Sequence, residues 1–124
     1  CGEIFAVEIR MPPGGGPPVL HRHAPSEIYY VLDGEFTFYV GEPGHTRRFT
    51  ATRHQAVPLA GGTPHTVRNE SGADAVAFVV HSPGATMEGF SRAAAALAAA
   101  GDIAIEDVLA LAEQHGVEML GPVG

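Results

Sequence analysis

Short runs in which apolar and polar residues alternate, broken every few positions by Gly, Pro, Asn or Asp, fill roughly the first two thirds of the chain. Strand side chains point to opposite faces in turn, so this period-two pattern predicts β-strands. The runs lie at 3–10, 19–23, 27–32, 35–40, 46–50, 55–58, 65–69 and 75–81. Between them stand turn-forming segments such as Gly14-Gly15-Gly16-Pro17-Pro18, Asp33-Gly34 and Gly61-Gly62-Thr63-Pro64. Glycine opens positive φ and proline withholds a ladder donor, so these stretches end strands rather than continue them. Asp33-Gly34 reads as a hairpin turn. Strands this short and this regularly punctuated predict an all-β sandwich or barrel.

After Pro83 the period changes. Phe90, Ala94 and Leu97 recur at helical spacing in the alanine-rich stretch 87–100, which Gly101 ends. A second helix is predicted from Ile105 or Glu106 to His115, and the apolar tail from Val117 to Leu120 is expected to dock on something. With 124 residues the chain can build one core and hardly two. We therefore expect a β-domain over 1–85 and a helical extension over 86–124, packed on the barrel or on a partner subunit.

Charge narrows the possible partners. A formal charge of -7 argues against attraction to nucleic acid or to anionic membranes, and no apolar run is long enough to span a bilayer. The triple glycine is followed by two prolines and lacks the Lys-Ser/Thr pair of a phosphate loop. Cys1 is the lone cysteine, so no internal disulfide can form and a cytoplasmic location is expected. Because the chain starts with Cys rather than Met, residues are expected to precede it.

The chemistry is concentrated in His21-Arg22-His23, Glu27 and His65. Histidines two apart on an extended segment project from one face. Glu27 shares strand parity with Tyr29 and Val31, which would put an unpaired carboxylate in an apolar interior unless a cation met it. Three neutral nitrogens and one oxygen make a four-ligand site suited to one divalent first-row transition metal, Fe, Mn, Ni, Co, Cu or Zn, rather than to Ca or Mg. Glu27 is also a candidate catalytic base in a site whose metal has only histidine ligands. Asn69 reads as a turn or supporting hydrogen-bonding residue. Tyr29, Phe36 and Phe38 read as core or cavity wall. His81 could face the cavity or solvent. His45, His54 and His115 read as loop, edge and helix-end residues, and Arg47, Arg48 and Arg53 as solvated strand-edge charges.

Gly15, His21, His23, Glu27 and Gly34 have the spacing of the first signature of the cupin family: Gly, five residues, His-x-His, three residues, Glu, six residues, Gly. Val57-Pro58, Gly62, His65 and Asn69 resemble the second, with the usual Pro-x-Gly stretched to Pro58-Leu59-Ala60-Gly61-Gly62. The likeness covers about residues 3–83. It implies a cupin β-barrel of double-stranded β-helix, jelly-roll topology with a short C-terminal helical tail, one metal held by His21, His23, Glu27 and His65, and a homodimer. It further implies a metal-dependent enzyme resembling quercetin dioxygenase, an oxidoreductase acting on a small enolic or phenolic substrate. Non-oxidative isomerases, cyclases and small-molecule-binding barrels without catalysis share the same signature.

Overall fold

The computed structural model describes residues 2–101 and 104–122. Cys1, on which the redox expectation rests, lies outside them. Eight strands come first: β1 (Phe5–Met11), β2 (Leu20–Arg22), β3 (Ser26–Asp33), β4 (Glu35–Val40), β5 (Arg47–Thr52), β6 (Ala56–Leu59), β7 (His65–Arg68) and β8 (Ala75–Ser82). Two helices, α1 (Ala85–Ala99) and α2 (Ile105–Gln114), and a last strand, β9 (Glu118–Gly121), follow. The strands form two antiparallel sheets, ordered β1-β8-β3-β6 and β5-β4-β7-β2-β9, facing each other across one core.

Alternation does what the sequence pattern requires. Along β8, residues 75, 77, 79 and 81 are buried, and along β3 Glu27 and Val31 turn inward. Phe36 and Phe38 of β4 and Val31 of β3 have no exposed surface and meet between the sheets. Side chains of this size each contribute about 1.5–3 kcal/mol on full burial, so this cluster is what holds the two sheets together. Tyr29 leans on Phe38 edge to face, with ring centroids 5.4 Å apart. Pro58 sits in β6, an edge strand of the first sheet, where its missing donor costs no ladder bond.

Two elements differ from the sequence expectation. Asp33-Gly34 is a corner rather than a hairpin: β3 pairs with β6 and β8, whereas β4 pairs with β5 and β7 in the other sheet. Gly34 has φ +75°, and a Cβ there would come within 2.6 Å of the Asp74 carbonyl, so the crossing passes too close to the β8 approach for a side chain. The apolar tail forms β9, which pairs with β2 and covers what would otherwise be a sheet edge. Arg22 holds it there by two hydrogen bonds to Glu118, at 2.9 and 3.1 Å.

Asn69 ties the glycine loop to the barrel. Its buried amide donates to the carbonyls of Met11 and Ala73, its side-chain oxygen accepts from the backbone N–H and hydroxyl of Ser71, and its backbone pairs with Gly14 and Gly15. The residue is a structural knot beneath the loop that leads into His21. No described helix is long and apolar enough to cross a membrane.

Candidate metal centre

Strand register brings the two halves of the site together. In the second sheet His21 of β2 lies directly opposite His65 of β7, with ring centroids 4.6 Å apart. In the first sheet Glu27 of β3 lies directly opposite His81 of β8. His23 follows β2 where the chain crosses from one sheet to the other, and its ring meets that of His65 edge to face. His23, Glu27, His65 and His81 are all buried, and His21 is half-buried.

Hydrogen bonds set the tautomers. Nδ1 of His23 lies 2.9 Å from the Pro25 carbonyl, Nδ1 of His65 lies 2.8 Å from that of Thr63, and Nδ1 of His21 lies 3.4 Å from that of Val19. A carbonyl only accepts, so each Nδ1 carries the proton and each Nε2 presents a lone pair. One ligand nitrogen from each of the three rings lies within 4.8 Å of the other two. Backbone anchoring of the far nitrogen is how metal-binding histidines are held in orientation.

The His65 lone pair faces another electron-rich atom. Its Nε2 stands 2.7 Å from Oε1 of Glu27 and has no hydrogen-bond partner. Two acceptors at that distance call for positive charge between them, a proton on Nε2 in the metal-free chain or a bound cation in its place, so the donor set fits a divalent ion of the kind inferred from the sequence. The other carboxylate oxygen, Oε2, receives the Nε2–H of His81 at 2.5 Å. Nδ1 of His81 is buried without a partner.

Burial, reinforced by the neighbouring His65, pushes the His21 imidazole down to about 4, and burial also lowers that of His23. His21 therefore stays neutral, and able to ligate, well into the acid range, and His23 is shifted in the same direction. Burial alone would raise the Glu27 carboxyl, but the imidazoles of His65 and His81 against its two oxygens outweigh it and hold the group well below the usual carboxylate range. Burial, with the nearby Glu27 charge, raises the Tyr29 phenol well above its ordinary value, so it stays protonated.

A pH dependence follows. Between the ordinary value of 6.5 and about 4, the unfolded chain protonates His21 and the folded chain does not, so the unfolded state gains from acid. The metal-free protein is expected to lose stability as pH falls through that window, and further below 4.5 as the depressed Glu27 carboxyl loses its advantage. Thermal unfolding midpoints between pH 7 and 4 check this; a midpoint that holds or rises on acidification rejects it.

The other sequence candidates lie elsewhere. His45 is on an exposed turn, His54 stacks on Tyr30 on the outer surface, and His115 closes α2 beside Phe90. Arg48 pairs with Glu70, which also accepts from the Tyr39 hydroxyl; Arg53 reaches the Leu32 carbonyl and Arg47 lies over Phe49. None of these arginines lines the site cavity. His81 is the site residue whose orientation the sequence left open. Its strand, Ala75–Ser82, is apolar on both faces, with Phe78 42% exposed outside and Val79 buried inside, so alternation did not say which face was which.

The Cupin domain family profile matches residues 7–81. No curated protein matches the chain by sequence. Among solved structures, TT1209 from Thermus thermophilus is 29% identical, with a TM-score of 0.58 over 67% of this chain and 75% of that protein. The DMSP lyase DddQ from Ruegeria pomeroyi DSS-3 is 28% identical, with a TM-score of 0.55 over 66% of this chain and 39% of that one. The polyketide cyclase RemF from Streptomyces resistomycificus is 23% identical, with a TM-score of 0.58 over 67% and 56%, a likeness of fold alone.

Proposed function

This chain belongs to the cupin family, and on that basis we propose that it is a metal-dependent enzyme, a dioxygenase-type oxidoreductase acting on a small enolic or phenolic substrate. The observation that carries the reading is the convergence of three Nδ1-anchored histidines, His21, His23 and His65, on a buried carboxylate, Glu27. Those four residues would hold one divalent first-row ion. When bound, the ion would supply a Lewis acid and, if redox-active, a place for dioxygen and substrate to meet.

The remaining chemistry belongs to the chain. A cavity of about 180 Å³ opens onto His21, His23, Glu27 and His81, with Val7, Ile9, Tyr29 and Val79 as walls. No arginine among the described residues lines it and the chain has no lysine, which disfavours phosphorylated or multiply anionic substrates and suits a neutral molecule with one ionisable oxygen. Glu27 accepts the enol or phenol proton at its carboxylate, leaving the substrate oxygen as an anion beside the histidines. His81 keeps the carboxylate oriented through its hydrogen bond to Oε2. The apolar walls exclude water from the anion so formed.

The test is anaerobic binding of enols, flavonols and 1,3-diketones to Fe(II)-, Mn(II)- and Ni(II)-loaded protein, followed by a pulse of isotopically labelled dioxygen. Oxygen consumption that depends on substrate, with label in the product, is the expected result. Product formed equally well without oxygen would overturn the oxygenase assignment in favour of isomerisation or cyclisation. Binding without any product would point to a carrier.

A homodimer belongs to the same reading. Ile28, Tyr30 and Phe78 are exposed on the outer face of the first sheet, and Tyr30 and Phe78 are register neighbours, so an apolar patch lies open there. Sedimentation at micromolar concentration is expected to show a dimer; a clean monomer rejects it.

A further inference from the structure

A second cavity, about 290 Å³, lies under the helices. It shares Pro17, His21, Met87 and Phe90 with the cavity at the histidines, so the two are neighbouring parts of one space. Val108 and Leu109 of α2 and Met119 of β9 form its far wall. His21 is its one polar side chain among the described residues, and no charged side chain lines it. Arginine and carboxylate groups are plentiful on the outside of the barrel, so their absence here is a local property of this wall.

Such a wall cannot compensate the desolvation of a charge, and it gains from every hydrocarbon group it covers. We propose that the substrate carries an uncharged alkyl or aryl body about as long as this chamber, with its oxygen-bearing head at His21, His23 and His65 and its body beneath α1 and α2. This rests on the reading of the histidine site as the place where the head binds. Leu109 and Met119, on the far wall, set the length of body accepted. The helical tail is thereby a specificity element, because the barrel strands contribute little to this wall beyond His21.

Calorimetric titration with phenol and its 4-methyl, 4-ethyl, 4-propyl, 4-butyl and 4-pentyl derivatives tests the chamber, in both metal-free and Zn(II)-loaded protein. Neutral phenols need no metal to enter. Affinity is expected to rise roughly fourfold per methylene, as buried CH₂ groups do, until the chamber is full. 5-(4-Hydroxyphenyl)pentanoate, whose body ends in a carboxylate, is expected to lose that gain. Leu109→Gln and Met119→Gln should each flatten the series, with circular dichroism showing that the helices remain folded. Phe78→Ser, on the outer apolar patch, should leave the slope in place.

A series flat in both forms overturns the proposal, as does a slope abolished by Phe78→Ser and kept by Leu109→Gln and Met119→Gln. A slope present in both forms with no metal-dependent offset supports the chamber and counts against the metal-bound head alone, so the two readings fail separately.

Discussion

Protein purified without a polyhistidine tag is expected to carry about one divalent first-row ion per chain, and His65→Ala to lose most of it. His65 is the most exacting position to remove. It lies opposite His21 in the ladder, its Nε2 lies 2.7 Å from Glu27, and its far nitrogen is held by the Thr63 carbonyl. Loss of a ligand so placed should exceed the roughly 10–100-fold effect typical of an outer hydrogen-bonding partner. His23→Ala is expected to behave likewise. His45→Ala and His54→Ala, both on the outer surface, should leave metal content unchanged. Element analysis of each form measures this directly. Full metal retention in a variant with His21, His23 and His65 all replaced by Ala would sink the assignment of the centre.

Glu27→Gln is expected to slow turnover by about 10²–10⁴-fold after metal content has been restored, the range typical of a removed general base. The substitution keeps the size of the side chain and an acceptor for the Nε2–H of His81, and removes the charge and the proton acceptor. The loss should therefore appear in kcat with less change in KM. In the wild type the depressed carboxyl stays ionised through neutral and mildly acidic pH, so Glu27 itself should not produce an acid limb above its ordinary value of 4.5. Glu27→Gln protein that turns over at the wild-type rate with metal bound would exclude the base role. Glu27→Ala is expected to cost stability as well, about 1–3 kcal/mol, because it leaves the buried Nε2–H of His81 facing no acceptor.

Much of the fold was written in local pattern. Alternation with punctuating Gly and Pro placed β1 to β8 within a few residues, since a half-buried strand must alternate whatever its neighbours do. Helical spacing and Gly101 placed α1 in the same way. β9 escaped notice because four residues with no strong alternation become a strand only by pairing with β2, an event between segments about a hundred positions apart. Asp33-Gly34 was legible as a tight reversal, but the same turn chemistry serves a hairpin and a corner between sheets. The choice was made by pairing partners that lie elsewhere in the chain.

The site divides along the same line. Motif spacing singled out His21, His23, Glu27 and His65 as candidate ligands, because a two-residue offset on a strand fixes a shared face and an inward carboxylate calls for a cation, and the fold brings the four side chains together. Tertiary structure alone decided that His81 reaches Glu27, since its strand is apolar on both sides and only the register of β8 against β3 turns it inward. It alone set the tautomers, through carbonyls of Pro25 and Thr63 that no composition reveals. The chamber beneath α1 and α2 also belongs to tertiary structure. Met87, Phe90, Leu109 and Met119 read along the chain as ordinary apolar positions, and they become one wall only because β9 folds back onto β2 and brings the helices over His21.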